Sequence, residues 1–367
     1  MNFSINRRRF IQATSSAVAA GALISRSGAA FAQSGEVRVV VVGGNVAQAH
    51  AEAIIKPFEA ETGIKVTPIN QDVAAAQIGM MVTAKNVSVD VGVLSQTGVL
   101  DLASHDYLEN IDYSIYKQIE LDGMEDYARR TFGVAPYMYS SIMAFNTEKF
   151  PASKPQPTTW ADFWDLEKFP GVRALPTGQD GAGGPWEEAL LADGVPVDKL
   201  YPMDIDRVFA SLDRIKPHVR KWWDSGSEIL QIMRDNVADI AQSYDGRMVS
   251  LMGEGKPIEV NRNLQKLTLD YYYIPKGSPN AQNAQRYIEF ATRADRQAAL
   301  AQLFPVGPSN RNAYKLIPED AARKLATYPE YMTNSYAINA EWYAEIGPDG
   351  ASNTQRLVQR WNDWILR

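Results

Sequence analysis

The hydrophobic pattern of the chain alternates between short apolar runs and longer stretches of helical period. The run EVRVVVVGG (36–44) is continuous and β-branched, as is typical of a strand buried on both faces of a parallel sheet. The stretch AQAHAEAIIKPFEAETG (47–63) carries apolar residues on one stripe, with Gly63 placed to end a helix. IKVTPIN (64–70) predicts a second strand. This spacing predicts a right-handed βαβ unit and an α/β fold.

The α/β pattern is interrupted once and then resumes. The segment KFPASKPQPTTWADFWDLEKFPG (149–171) is rich in proline and aromatic residues, and its prolines exclude a continuing helix or central strand. A second α/β run follows, with VADIAQSYDG (237–246) and IEVNR (258–262) as strands. LTLDYYYIPKGSPN (267–280) predicts a further strand that ends in a turn. We therefore predict two domains, with a chain crossing at each of the two Pro-rich places.

The N-terminus has the order of regions found in a removable export signal. Arg7, Arg8 and Arg9 precede an aromatic and an aliphatic residue, a weakly apolar stretch, and a small-x-small site that ends at Ala32. Paired arginines in this context are typical of the twin-arginine type. The apolar part is too short for a membrane span, which needs about 20 residues. We expect cleavage after Ala32 and a mature chain of residues 33–367 in the periplasm.

Charge and composition narrow the range of partners. The net charge is −6, and residues 1–32 hold four arginines and no acid, so the mature part is more acidic still. Such a chain lacks the basic face needed for nucleic acid or an anionic membrane surface. There is no cysteine, and the three histidines are scattered, so a disulfide or a zinc site is not expected. We predict no metal, no cofactor and no membrane insertion of the mature chain.

Sequence signatures of catalysis are missing. The chain has no G-x-S-x-G elbow, no P-loop and no cluster of histidines and carboxylates. The glycine-rich TGQDGAGG (177–184) does not have the spacing of a nucleotide fingerprint, and VVGGN (41–45) lacks a third glycine. We predict a protein that is not an enzyme, with an exported enzyme acting on a small amine as the weaker alternative.

Several segments, taken in order, resemble one family. They are similar to periplasmic solute-binding proteins of bacterial ABC importers, specifically the spermidine/putrescine-binding branch, over essentially the whole mature chain. The segments are IIKPFEAETGIKV, VDVGVLSQTGVLDLASHDYLENID, VAPYMYSSIMAFNTEKF, TTWADFWDLEKFPGVRAL, MRDNVADIAQSYDGRM and YYYIPKGSPNAQNAQRYIEFATRADRQAAL, together with the export signal.

The resemblance implies a type II two-lobe binding protein. Each lobe would be a mixed sheet flanked by helices, with crossing hinge strands between the lobes and a ligand in the cleft. Lobe 1 would contain residues 33–144 and 273–310, lobe 2 residues 145–272, and residues 311–367 would form a helical segment packing on both. The implied partners are a small amine or zwitterionic ligand and an ABC permease of the inner membrane. We expect a monomer.

Candidate ligand residues lie where predicted strands end. Asp270 matches an acid that the polyamine-binding family uses against ligand amines. Tyr244, Asp245 and Arg247 end the strand 237–246, and carboxyl ends of strands face the cleft in open α/β sheets. Two arrangements remain open for these charges: Asp245 pairs with Arg247, or Asp245 receives a ligand ammonium while Arg247 binds a carboxylate.

Further candidates come from strand ends, a helix start and loops that are expected to border the cleft. Two tryptophans precede a helix start, one of them expected in the core, and other candidates are polar residues at strand ends and in loops. They are Trp222, Trp223, Ser95, Gln96, Thr97, Tyr139, Ser140, Asp180 and Asn45. Where relatives have an aromatic-rich loop after the first strand, this chain has two glycines and Asn45. A polyamine, a shorter ω-amino acid and an opine-like conjugate therefore all remain candidate ligands.

A ferric-ion-binding protein is the other alternative, because some relatives hold iron through adjacent tyrosines. Tyr271, Tyr272 and Tyr273 form a triplet. Strand alternation sends at most two of them to one face. We therefore interpret the triplet as packing at the crossover.

Overall fold

The computed structural model describes residues 35–41 and 43–367, without the side chain of Asp180. The export signal predicted from the sequence lies outside the described residues. These residues form eleven strands, most of which are short. The strands are β1 Glu36–Val40, β2 Lys65–Ile69, β3 Gly92–Ser95, β4 Arg129–Arg130, β5 Gly133–Val134, β6 Met138–Asn146, β7 Arg173–Pro176, β8 Val219–Trp223, β9 Ile240–Tyr244, β10 Ile258–Tyr273 and β11 Ser335–Ala337.

Helices connect these strands and cover the sheets. The α-helices are α1 Asn45–His50, α2 Lys56–Thr62, α3 Ala75–Thr83, α4 Gln96–Ser104, α5 Gln118–Gly123, α6 Trp160–Trp164, α7 Trp186–Ala192, α8 Ile205–Ile215, α9 Gly226–Arg234, α10 Asp245–Gly253, α11 Ala281–Ala291, α12 Ala294–Leu303, α13 Glu319–Ala322, α14 Pro329–Met332, α15 Ala340–Ala344 and α16 Asn353–Ile365. A π-helical turn, Ala51–Ile55, joins α1 to α2. No helix in the described part of the chain is long and apolar enough to cross a membrane.

The first βαβ unit forms as the pattern predicts. Strands β1 and β2 pair in parallel, with Glu36 opposite Lys65. The valines of β1 are buried on both faces, which explains the continuous apolar run. Gly63 ends α2 in the left-handed conformation with a φ of 71°, which a glycine adopts without strain.

A nine-stranded sheet runs through the molecule, and β10 is its central strand. Strand β10 is antiparallel to β6 over most of its length, and beyond Leu269 it pairs with β3 and β5 instead. On the other side of β6 the sheet continues through β9, β7 and β8. The register of the β6–β10 pair shifts between Asn261 and Lys266. Strand β10 thus contributes hydrogen bonds to two groups of strands.

Separate apolar cores pack around different groups of strands. The β1 core surrounds β1, α2 and α11 and includes Phe58, Tyr287 and Phe304. The β9 core surrounds β9, α9 and α10 and includes Trp223 and Met248. A third core packs α7 and α8 against the last helix, α16, whose apolar residues face it. The amphipathic C-terminus therefore serves as a packing element.

Two elements differ from the sequence prediction. IEVNR and LTLDYYY were expected as separate strands, whereas they form one strand, β10, with the register shift where the pattern seemed to break. Strand β8, Val219–Trp223, was not predicted. Its residues alternate poorly because Trp222 and Trp223 are both apolar, and each packs against a different core.

Candidate functional site

The candidate site lies where β10 exchanges one partner strand for another. Leu269 is still paired with Met138 of β6, and the next residue, Asp270, is opposite Ser95 of β3. Ser95 also caps the N-terminus of α4 by accepting a bond from the N–H of Gly98. Asp270 also lines two cavities, which are described below.

Asp270 is a half-buried carboxylate with one phenol as its hydrogen-bond donor. The hydroxyl of Tyr139 donates to its Oδ1 at 3.1 Å. Among the residues that the structure describes, no lysine or arginine lies within ion-pair distance of it. Burial, with a smaller contribution from the charge of Asp72, raises the pKa of Asp270 to about 6, although the Tyr139 hydrogen bond opposes this. The carboxylate is therefore held without a counter-charge.

Three aromatic side chains form a wall next to Asp270. The rings of Tyr139 and Tyr244 meet edge to face, with centroids 5.5 Å apart, and Tyr244 meets Trp223 in the same way at 5.3 Å. The indole N–H of Trp223 donates to the carbonyl of Gln242 at 3.0 Å, which fixes its orientation. Burial raises the pKa of Tyr139 well above its usual value, and the charge of Asp270 adds to this effect. The phenol therefore stays protonated and remains a donor.

Arg247 lies in the first turn of α10, on the other side of this wall. Its guanidinium carbon is 5.6 Å from the centroid of the Phe304 ring. A Cβ atom at Gly226 would lie 3.0 Å from its Nε, and one at Gly44 would lie 3.6 Å from its Nη1. Burial lowers the pKa of Arg247, and no carboxylate of the described residues is within ion-pair distance of it. It is a second half-buried charge without a charged partner among the described residues.

Asp270 and Arg247 line the same cavity, which we call the Arg247 cavity. Its volume is about 200 Å³, and its other walls are mostly aromatic, with Tyr137, Tyr139, Tyr244, Phe304 and smaller apolar residues. A second cavity of about 440 Å³, the Asp72 cavity, shares Tyr139, Tyr244 and Asp270 with it. Asp72, Gln77, Ser95, Ser141 and Trp223 line this second space. Asp270 thus lines two neighbouring cavities, one of which is also lined by the guanidinium-bearing Arg247.

The structure brings six of the sequence-predicted residues to these two cavities. They are Asp270, Arg247, Tyr244, Tyr139, Ser95 and Trp223. Thr97 has its hydroxyl 3.2 Å from that of Ser95 and lines a neighbouring cavity. Nothing is described of the side chain of Asp180. Gln96 and Asn45 do not line either of the two cavities.

Three other candidates make packing or internal contacts instead: two are fully buried, and Trp222 is half-buried. Asp245 is fully buried; its carboxylate accepts from the backbone N–H of Ser140 at 2.9 Å and lies 3.3 Å from Arg262. The pairing of Asp245 with Arg247, one of the two arrangements considered, is therefore wrong, because Arg262 occupies that carboxylate. Ser140 is also fully buried and donates to Gln265. Trp222 packs against Trp361 and Trp364 of α16, with ring centroids 5.0 and 5.5 Å away.

Several lining residues were not predicted, and some of them carried a usable signal. Lys266 and Thr268 alternate with Asp270 along β10 and line the Asp72 cavity, as the two-residue period of a strand requires. Tyr137 precedes Tyr139 by two residues in the same way. Phe304 gave no signal, because a phenylalanine after an amphipathic helix looks like any core residue.

The ammonium of Lys266 is not available to a ligand. Its Nζ donates to Glu187, Glu188 and the carbonyl of Gly184, each at 3.0 Å. Phenol groups complete the cluster by donating to the two glutamates; they belong to Tyr201, Tyr336 and Tyr343. Because both acids surround one lysine, this cluster adds no net positive charge to the Asp72 cavity.

The tyrosine triplet packs in the interior, on alternating faces of β10. Tyr271 donates to the carbonyl of Tyr127, and Tyr272 belongs to the β1 core, on the opposite face. Tyr273 is fully buried and contacts Gly92. The three hydroxyls therefore do not converge. The described residues also contain no group of three or more histidines, aspartates and glutamates that fits a metal ion.

The chain is similar to proteins of known class. The family described as "Bacterial extracellular solute-binding protein" matches residues 53–333. The gamma-aminobutyric acid-binding protein of Pseudomonas aeruginosa is 31% identical over 350 residues, which cover 92% of this chain and 93% of that one. The spermidine/putrescine-binding periplasmic protein of Escherichia coli is 23% identical over 306 residues, covering 80% and 83%.

A solved structure has the same fold. The structure of an ABC transporter protein from Rhodopseudomonas palustris matches with a TM-score of 0.81 at 32% identity, covering 90% of this chain and 99% of that one. These similarities confirm the resemblance found in the sequence and the type II two-lobe class of fold.

Proposed function

The chain belongs to the family of bacterial extracellular solute-binding proteins, and from this premise we propose that it captures a small ω-amino acid for an ABC importer. One observation carries the proposal: Asp270 and Arg247, two charges without partners among the described residues, line the same cavity of about 200 Å³. A ligand with an ammonium at one end and a carboxylate at the other pairs both.

The physical reason is the cost of buried, unpaired charge. A carboxylate or guanidinium removed from water loses hydration that only an opposite charge or several hydrogen bonds replace. Asp270 accepts one hydrogen bond, from Tyr139, and its raised pKa reflects this deficit. Arg247 presents a planar fork of donors that matches a carboxylate in bidentate geometry. The ligand supplies both missing partners at once.

The aromatic walls suit the chain of such a ligand. Tyr139, Tyr244 and Tyr137 enclose the space between the two charges. Ring faces bury the methylene groups of an ω-amino acid, and they also attract its ammonium through their π-electrons. Gamma-aminobutyric acid is the ligand named for the relative that is 31% identical. Its two charged groups at the ends of a short aliphatic chain fit this arrangement.

A polyamine fits less well. It carries no anion for Arg247, and its second ammonium would face that guanidinium across a desolvated cavity, where like charges repel strongly. An opine-like conjugate is the second candidate. The Asp72 cavity, at about 440 Å³, opens from the same carboxylate and has room for a substituent on the ligand nitrogen.

Binding to matched four-carbon ligands tests the proposal. We expect 4-aminobutyrate to raise the melting temperature and to bind saturably in calorimetry, since a ligand of the folded state stabilises it by mass action. Removing either charge, as in n-butylamine or butyrate, should cost about 2 kcal/mol or more, roughly 30-fold in Kd. Tighter binding of 1,4-diaminobutane than of 4-aminobutyrate would contradict the proposal and favour a polyamine.

The remaining parts of the proposal concern location and partners. We infer that the protein acts in the periplasm after loss of residues 1–32 and binds its solute without altering it chemically. The proposed lobes are residues 33–144 with 273–310, and residues 145–272, with 311–367 packing on them. The protein would bind as a monomer, close around the ligand and dock on an ABC permease. Mass spectrometry of the exported protein tests the cleavage after Ala32.

A further inference from the structure

The guanidinium of Arg247 is positioned by packing. Among the described residues, no carboxylate pairs with it, and its defined contacts are with the Phe304 ring and with two glycines, Gly226 and Gly44. The two glycines border it without side chains of their own. A guanidinium held in this way keeps its N–H donors free for a ligand carboxylate.

Of the three residues that border Arg247, namely Phe304, Gly226 and Gly44, Phe304 contributes a ring that stacks on the guanidinium. Its ring centroid lies 5.6 Å from the guanidinium carbon, within the range of a cation–π contact. The ring itself is held on its other side: a Cβ atom at Gly246 would lie 3.1 Å from it, and Phe304 is only 6% exposed. The orientation of the ring is therefore well defined.

The two side chains come from different cores. Phe304 belongs to the β1 core and directly follows α12. Arg247 extends from α10, whose apolar face packs in the β9 core. The contact between them therefore joins the β1 core to the β9 core. The carbonyl of Pro305 also lies close to Gly246, so the backbones approach each other there without an intervening side chain.

We propose that Phe304 is a positioning residue for the ligand carboxylate: its ring orients the Arg247 guanidinium from the opposite core and completes the carboxylate end of the site. This inference rests on the proposed function. It assigns the ammonium end to Asp270 and the tyrosine rings and not to Arg247, so the two ends of the ligand respond differently to a change at Phe304. Recognition of the ligand carboxylate then requires Phe304 of the β1 core to contact Arg247, which extends from the helix of the β9 core.

The test measures the ratio of the Kd of n-butylamine to that of 4-aminobutyrate, which reports the contribution of the carboxylate. Phe304→Leu keeps an apolar side chain and removes the ring. We expect it to lower the affinity for 4-aminobutyrate about tenfold and to change that for n-butylamine less than about threefold. Phe304→Tyr, which keeps the ring, should restore the wild-type ratio. Leu303→Ala is the matched control, because Leu303 is the preceding residue and is 56% exposed.

The possible outcomes separate this inference from the proposed function. If the wild-type protein does not prefer 4-aminobutyrate to n-butylamine, the proposed function fails. If the wild-type protein does prefer it and Phe304→Leu keeps the ratio, or loses both ligands equally, the positioning role is overturned. Should Phe304→Leu not fold, Phe304→Met serves in its place, since a flexible apolar side chain fills the space without a ring; an unchanged ratio there overturns the role as well.

Discussion

The carboxylate of Asp245 lies 3.3 Å from a guanidinium nitrogen of Arg262, although Arg247 is only two residues away in the same helix. Side chains two apart on a helix do not face each other, which keeps Arg247 out of this pair. Arg262 also donates to Gln265 and to the carbonyl of Lys324. The acid at the start of α10 is thereby satisfied in the interior, and the arginine after it is left to the cavity.

This buried pair should make Arg262 important for stability. Arg262→Met leaves the fully buried carboxylate of Asp245 without its cation. We therefore expect the free energy of unfolding, measured in urea, to fall by about 3 kcal/mol. Asp245→Asn/Arg262→Met, which removes both charges and keeps an acceptor for Ser140, should recover most of that loss. Equal stability of the single variant and the wild-type protein would show that the pair contributes little.

Asp270 should be required for binding and unfavourable for the stability of the unliganded protein. Asp270→Asn removes the partner of the ligand ammonium, so affinity for 4-aminobutyrate should fall by about 30-fold or more. The same change removes a desolvated charge that has no cation, so the melting temperature without ligand should rise at neutral pH. Calorimetry and thermal unfolding check the two effects; a lower melting temperature would contradict the second.

The pH dependence of stability and that of binding should have opposite signs. The folded-state pKa of Asp270, about 6, exceeds the value near 3.8 of a free aspartate. Its contribution to stability is therefore complete below the unfolded pKa and is lost as the pH rises through about 6, up to roughly 3 kcal/mol in all. Ligand affinity should rise over the same interval, because only the ionised carboxylate pairs with an ammonium. Asp270→Asn serves as the reference, since its difference from wild type isolates this one group.

Gly226 should be needed for the position of Arg247. Gly226→Ala places a Cβ atom 3.0 Å from the Nε of Arg247 and 3.4 Å from the Tyr244 ring, so the guanidinium has to move. We expect affinity for 4-aminobutyrate to fall about tenfold in calorimetry, and affinity for n-butylamine to change much less. Gly253→Ala is the matched control, because a Cβ atom there meets nothing within 4 Å. Equal effects of both variants would contradict the steric explanation.

The sequence was sufficient to predict the class of fold, and it pointed to one residue of the candidate site. Asp270 follows a run of alternating residues and matches a family position, and β1 and β2 form the parallel pair that their pattern predicts. Arg247 was expected at the cleft because it directly follows a strand, and it lines the Arg247 cavity. The prediction of the fold succeeded because it depends on local periodicity, and the candidate site residues were chosen because they lie at the ends of strands.

The features of the candidate site that the sequence did not predict depend on contacts between residues that are far apart in sequence. The partner of Asp245 is Arg262, which lies in the part of β10 where the register shifts, between Asn261 and Lys266. Phe304 meets Arg247 across two cores. Neither contact leaves a periodic signal, since each is created by the way in which distant strands and helices pack.

Strand β10 also limits how this protein can be divided. Its first part is hydrogen-bonded to β6, and its last four residues, from Asp270 to Tyr273, are hydrogen-bonded to β3. A fragment that ends before Asp270 would leave β3 without that edge partner, and a fragment that begins there would leave the residues from Asp270 to Tyr273 without β3. Either half produced by itself would expose an unpaired strand edge and be prone to aggregate, so a split reporter made from this protein should be cut elsewhere.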